Sequence, residues 1–121
     1  MATKCDRQSI AKDLMRFIRI ERNYRNINLC RDDVAEILGV TKGMLTSVIH
    51  NELQTTFTDL VNRYRANHAY KLLMSAEEDS VTLEEIAIMS GFSNRMTMHR
   101  AFLKVYGKSP GKVREELSVN F

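Results

Sequence analysis

Apolar residues recur along the chain at the three- and four-residue spacing of α-helices, and the strict alternation typical of strands is missing. The first stripe of this kind predicts a helix from about Ser9 to Glu21. Its apolar members are Ile10, Leu14, Phe17 and Ile18. The polar stretch 23–28 ends this helix, and the same spacing continues almost throughout the chain, so we expect an all-α fold.

A longer stripe near the middle of the chain predicts a helix over residues 56–74. Its apolar members are Phe57, Leu60, Val61, Tyr64, Ala69, Leu72 and Leu73. Thr56 and Asp59 can take up free backbone N–H groups of its first turn. Near the end of the chain Ser109 can cap a helix that begins at Pro110, whose missing N–H costs nothing there. This last helix should end near Leu117.

The segment from Leu29 repeats in the segment from Val81 with a shift of 52 residues. Asp32-Asp33-Val34-Ala35 matches Glu84-Glu85-Ile86-Ala87, and Gly39-Val40-Thr41 matches Gly91-Phe92-Ser93. The shift then becomes 53, and Leu45 and Ile49 align with Met98 and Phe102. Each copy predicts a short helix with acids in its first turn, a turn led by glycine, and a second helix capped by Thr41 or Ser93. This is the helix-turn-helix pattern, and its duplication makes the signal strong.

The second helix of the C-terminal copy, residues 94–106, should face the core with Met98, Ala101, Phe102 and Val105. Its opposite face carries the first set of candidate DNA contacts: Arg95, Met96, His99, Arg100 and Leu103, with Thr97 and Lys104 at the margins. Arginines on such a face can grip guanine O6 and N7 with two hydrogen bonds. The alternative for the arginines is simple solvation of a surface helix. Met96 fits a thymine methyl and packing on a neighbouring helix equally well.

The second helix of the N-terminal copy, residues 42–51, should bury Leu45, Val48 and Ile49. The second set of candidate DNA contacts lies on its outer side: Lys42, Gly43, Thr46, Ser47 and His50. This face has no arginine of its own, and short hydroxyls discriminate bases less well than a bidentate arginine. Gly43 allows a backbone to approach DNA closely, although a harmless surface glycine is an alternative. The two copies should therefore contribute unequally to base recognition.

Composition bounds the remaining possibilities. The 121 residues carry a formal charge of +3, which permits a polyanionic partner without requiring one. We expect a single DNA-binding domain over residues 1–121, made of a first subdomain (8–53), a linker helix (56–74) and a second subdomain (81–118). No apolar run approaches the ~20 residues that span a bilayer, so we expect no membrane contact and a cytoplasmic protein.

Cysteine and histidine positions give no sign of a metal site. Cys5 and Cys30 lack a C-x-x-C spacing, and His50, His68 and His99 lie far apart in sequence, so we expect free thiols, no metal and no cofactor. Paired acids occur at residues 32–33, 77–79, 84–85 and 115–116, and each is accounted for by a helix start or a loop. No nucleophile and base accompany them, so we expect no enzyme and no catalytic residue. A helical protein–protein interaction or adaptor domain is the alternative to DNA binding.

Over about residues 27–115 the sequence resembles the DNA-binding domain of the AraC/XylS family of bacterial transcription regulators. The resemblance is carried by Asp33-Val34-Ala35-x-x-Leu38-Gly39-Val40-Thr41-x-x-x-Leu45, Asn62-x-Tyr64-Arg65-x-x-x-Ala69-x-x-Leu72-Leu73, Ile86-Ala87-x-x-x-Gly91-Phe92-Ser93 and Phe102-x-x-x-Tyr106-Gly107-Lys108-Ser109-Pro110. It departs from the family at Ser47, Ile49 and Gln54, where members often have an arginine, an aromatic residue and a glycine.

The resemblance implies seven helices, with two recognition helices in successive major grooves of double-stranded DNA. It implies these base-facing residues: Gly43, Thr46 and Ser47 in the first copy, and Arg95, Met96, Thr97 and Arg100 in the second. Further expected partners are RNA polymerase and a fused or separate sensor domain, and we expect the chain to be the C-terminal module of a larger regulator. The linker helix, about 27 Å long, predicts a monomer on an asymmetric site of about two helical turns.

Overall fold

The computed structural model describes residues 4–75 and 81–119. Within these ranges the chain forms helices and no strand, which confirms the all-α prediction. The helices are α1 (Lys4–Met15), α2 (Arg31–Leu38), α3 (Lys42–Leu53), α4 (Phe57–Ser75), α5 (Leu83–Met89), α6 (Arg95–Tyr106) and α7 (Pro110–Val119). The acids at 77–79 lie outside the described residues. No helix in the described part of the chain is both long and apolar enough to cross a membrane.

The chain divides into two compact units, Met1–Val61 and Asn62–Phe121, called the first and second unit below. In the first unit α1 begins at Lys4, five residues before the predicted start, and a π-helical turn, Arg16–Ile20, follows it. The Glu21 N–H donates to the Arg16 carbonyl five residues earlier, at 2.9 Å, as a π-turn requires. Leu14 and Ile18 are buried, while Ile10 and Phe17 are half-buried.

The turns between the paired helices are built alike in the two units. In the first, the Gly39 N–H donates to the Glu36 carbonyl at 3.1 Å, and the Val40 N–H donates to the Ala35 carbonyl at 3.0 Å. In the second, the equivalent bonds from Gly91 and Phe92 measure 3.1 and 2.9 Å. Both glycines have positive φ, +72° and +100°, a backbone conformation that costs residues with a Cβ free energy. The duplication seen in the sequence is therefore a duplication of backbone hydrogen bonds.

The caps of the two recognition helices differ by one residue. Thr41 caps α3 as predicted, with its Oγ1 accepting the Met44 N–H at 3.0 Å. The prediction that Ser93 caps α6 is wrong, because Asn94 is extended there (φ −163°, ψ 173°) and its Oδ1 accepts the Thr97 N–H at 2.9 Å. The turn of the second copy holds one residue more, so the shift of 53 that aligns the second helices already pairs Thr41 with Asn94.

Two further caps agree with the sequence. The Thr56 hydroxyl accepts the Asp59 N–H at the start of α4, at 3.1 Å, and the Ser109 hydroxyl accepts the Lys112 N–H at the start of α7, at 3.1 Å. Gln54, which ends α3, adopts the left-handed conformation with φ +54°. Glycine reaches that conformation without a steric penalty, so the backbone at this position favours glycine over a residue with a Cβ.

The core of the second unit is a single buried cluster: Ala66, Ala69, Leu73, Leu83, Ile86, Ala87, Phe92, Met98, Ala101, Phe102 and Val113. The Phe102 ring stacks on Tyr70 at a centroid distance of 6.4 Å and meets Tyr106 edge-on at 5.1 Å. Val105, predicted on the core side, is 40% exposed. In the last turn of α6 the ring of Tyr106, one turn beyond Phe102, packs against the core instead of Val105.

Candidate nucleic-acid interface

The outer face of α6 presents the side chains that the sequence marked as DNA contacts. Arg95, Met96 and Arg100 are exposed, and Thr97 and His99 are half-buried. Met96 is 56% exposed, so it does not pack away against a neighbouring helix. The opposite side holds Met98, Ala101 and Phe102 in the core, which fixes the direction in which this face points.

The two arginines of this face differ in their present partners. Arg95 Nη1 lies 3.0 Å from Glu84 Oε1 and forms an ion pair. Arg100 forms no hydrogen bond or ion pair with another residue in the described ranges. Among the described residues none competes with a ligand for the N–H donors of Arg100, whereas Arg95 already shares one with a carboxylate.

The ion pair of Arg95 has a counterpart in the first unit. Lys42 Nζ lies 3.2 Å from Asp32 Oδ2, and Asp32 matches Glu84 in the internal repeat. Lys42 and Arg95 are each the first residue of a recognition helix, and each acid lies in the first turn of the preceding helix. The same electrostatic link thus joins the two helices of each helix-turn-helix and holds a cation at the start of each recognition helix.

The pKa of each acid is lowered, which favours its charged form. The hydrogen bond from Lys42 is the main cause that lowers the pKa of Asp32, and Arg31 lowers it further. The pKa of Glu84 is lowered first by its backbone N–H and then by Arg95. All these groups are on the surface, so the pairs orient the cations without contributing much to stability.

The outer face of α3 holds the other predicted contacts. Lys42, Gly43, Thr46 and His50 are exposed, and Ser47 is half-buried. A Cβ built at Gly43 meets no heavy atom within 4 Å, so the fold of the described chain gives no steric reason for glycine. The predicted residues of each set therefore lie on one recognition helix, α3 in the first unit and α6 in the second, and each of them is at least partly exposed.

Arginines from other helices reach the α3 face, and the sequence analysis missed them. Arg31, at the start of α2, donates from Nη1 to Thr46 Oγ1 at 3.2 Å. Arg7, on α1, donates from Nη2 to Ser47 Oγ at 2.5 Å and lies 3.6 Å from a carboxylate oxygen of Glu52. Helical periodicity predicts only which side chains of α3 itself lie on this face, whereas Arg31 and Arg7 come from positions 15 and 40 residues before their partners.

One signal could have identified Arg31. In the internal repeat it occupies the position of Leu83, which is buried in the core of the second unit. A charged residue where the other copy needs a buried leucine indicates that the two copies differ in function at this position.

Together, the two capped helix pairs, each with a recognition helix that begins with a cation, have the architecture of a DNA-binding domain with a duplicated helix-turn-helix. The sequence profile of a family described as a helix-turn-helix domain matches residues 34–116, which is more than half of the chain. The chain belongs to this family, in its AraC-type form, and is a DNA-binding domain of the transcription-regulator class.

Several of the similar proteins are bacterial regulators. The probable transcription factor PqrA of Proteus vulgaris is 27% identical over 89% of this chain and 85% of its own length. The Msm operon regulatory protein of Streptococcus mutans is 26% identical over 74% of this chain, but the match spans 31% of that protein. The C-terminal domain of AraT, a response regulator from Geobacillus stearothermophilus, superposes with a TM-score of 0.78 at 29% identity, covering 88% of this chain and 84% of that one.

Proposed function

We propose that the chain binds double-stranded DNA in a sequence-specific manner, with the outer faces of α3 and α6 in the major groove. The observation that carries this proposal is the duplicated helix-turn-helix in which each recognition helix begins with a cation held by an acid of the preceding helix. When such cations contact DNA phosphates, counterions bound to the DNA are released, and this release favours binding.

The two sets of contact residues have different tasks. Arg100 reads a guanine edge, Met96 a thymine methyl, and Arg95, Thr97 and His99 complete the second site. Lys42, Gly43, Thr46, Ser47 and His50 form the first site, and the backbone that Thr41 caps at the start of α3 lies near phosphate oxygens. The chain acts by binding and not by catalysis.

One chain carries both recognition helices, so a monomer suffices to occupy two major grooves on an asymmetric site of about two helical turns. A sensor domain, fused or separate, and RNA polymerase are the partners through which such binding would change transcription. The place of action is then the bacterial cytoplasm, where the DNA lies.

Selection of bound sequences from a random duplex pool tests DNA binding and reads the site together. We expect enrichment of an asymmetric site, with log K falling against log salt by about 0.9 for each phosphate contacted. Footprinting and a stoichiometry measurement on the selected duplex follow. Absence of enrichment would contradict sequence-specific DNA binding and favour an adaptor domain. A palindromic site occupied by two chains would contradict binding as a monomer.

The Gly43→Ala variant distinguishes a glycine that affects only stability from one that lets DNA approach the backbone closely. Because the added Cβ meets no protein atom, alanine should raise the free energy of unfolding through better helix propensity, by at most about 0.5–1 kcal/mol since Gly43 is in the first turn of α3. If the α3 backbone approaches DNA closely at this residue, the same change weakens binding. Thermal unfolding and DNA titration of the variant measure the two effects, and unchanged affinity would show that Gly43 is not at the interface.

A further inference from the structure

The Arg31 guanidinium is fixed on the recognition face of the first unit by two neighbours. Its Nε and Nη2 donate to Asp32 Oδ1 at 3.3 and 3.2 Å, and its Nη1 donates to Thr46 Oγ1 at 3.2 Å. The side chain is 46% exposed, so it is held in place without being buried. Thr46 is itself one of the residues proposed to face the bases, which places the guanidinium beside the predicted groove-facing surface.

The hydrogen bonds of Arg31 leave one N–H on each of its two terminal nitrogens. A guanidinium has five N–H groups, one on Nε and two on each Nη. Asp32 takes one from Nε and one from Nη2, and Thr46 takes one from Nη1. One N–H therefore remains on each Nη within the described structure. A bidentate contact with guanine O6 and N7 takes one N–H from each of two guanidinium nitrogens, and Nη1 and Nη2 of Arg31 can each supply one.

Asp32 links this guanidinium to the cation at the start of α3. Its second oxygen, Oδ2, binds Lys42 Nζ at 3.2 Å, so one carboxylate holds Arg31 and Lys42 together. The corresponding acid of the second unit, Glu84, is paired with Arg95. The residue before Glu84 is the buried Leu83, so this use of an arginine at the start of the first helix is particular to the first unit.

We propose that Arg31 is a base-reading residue of the first unit, which supplies from α2 the bidentate guanidinium that α3 lacks, with Asp32 and Thr46 as its positioning residues. The inference rests on the proposed DNA binding. Arg7 is a weaker candidate for this task, since its side chain is 23% exposed and lies against Ser47, Met44 and Glu52 of α3.

Arg31→Lys is the decisive variant, because lysine keeps the positive charge but loses the planar two-donor fork. Arg31→Leu installs the residue type found at the matching position of the second unit, and Arg19→Lys is a matched control at an exposed arginine of the π-turn. Each folded variant is carried through the same selection from random duplexes and then titrated on the site that the unchanged chain selects.

We expect both Arg31 variants to lose the preference at one or two base pairs and to bind the selected site at least about fivefold more weakly, while Arg19→Lys matches the unchanged chain. An unchanged site and affinity in the Arg31 variants overturns the inference and leaves the proposed function standing. A second outcome also overturns the inference: the Arg31 variants lose the same affinity on all sequences, and the slope of log K against log salt falls by about 1 in Arg31→Leu. Arg31 is then a phosphate contact. Failure of the unchanged chain to select any sequence refutes the proposed function itself.

Discussion

Arg100→Ala should weaken binding to the selected DNA site by ~5- to 150-fold, which corresponds to ~1–3 kcal/mol. Arg100 is exposed near the middle of α6 and has no partner among the described residues that would compete with a base. Its loss removes two hydrogen bonds to one base pair, so the preference at that position should relax while the fold is unaffected. Titration of the selected duplex and of single-base variants of it measures both quantities.

Ser47→Ala is the matched comparison, because Ser47 aligns with Arg100 when the recognition helices are superimposed with the shift of 53. The Ser47 hydroxyl accepts hydrogen bonds from Arg7 and Asn51 within the chain, and it offers DNA a shorter reach than an arginine. Its replacement should cost far less affinity. A larger loss for Ser47→Ala than for Arg100→Ala, or a loss for Arg100→Ala that is equal on all sequences, contradicts the assignment of base reading to Arg100.

Phe102→Ala should lower the free energy of unfolding by about 3–5 kcal/mol, which is the usual cost of deleting a buried aromatic side chain. The side chain is fully buried and its ring contacts both Tyr70 and Tyr106, so alanine leaves a cavity that two aromatic neighbours border. Domains of this size are stable by only about 5–15 kcal/mol, so the second unit should be severely weakened. Chemical denaturation followed by circular dichroism measures the change.

Leu103→Ala provides the control for this experiment on the adjacent residue of the same helix. Leu103 is exposed on the outer face of α6, and surface substitutions usually change stability by less than about 0.5 kcal/mol. Similar losses for the two variants would show that α6 does not pack through the side on which Phe102 lies. In that case the outer face on which Arg100 and Met96 lie would also be misassigned.

Much of the fold could be predicted because its determinants are local. Helical periodicity separates Met98 and Phe102 from Met96 and Arg100 on opposite sides of α6, and a glycine with positive φ ends α2. The cap of α6 shows the limit of such reasoning. Ser93 and Asn94 are both good capping residues, and only the backbone conformation of the turn decides between them.

The candidate site was predicted only as far as it lies within single helices. The sequence by itself determined the duplicated helix-turn-helix and the outward faces of α3 and α6, since repeat spacing and side-chain direction along a helix follow from local geometry. Only the tertiary structure decided that Arg31 lies against Thr46, that Arg7 lies against Ser47, and that each recognition helix starts with a cation paired to an acid of the preceding helix. Long charged side chains take their positions from partners on other helices, and those partners come within reach only after the helices have packed.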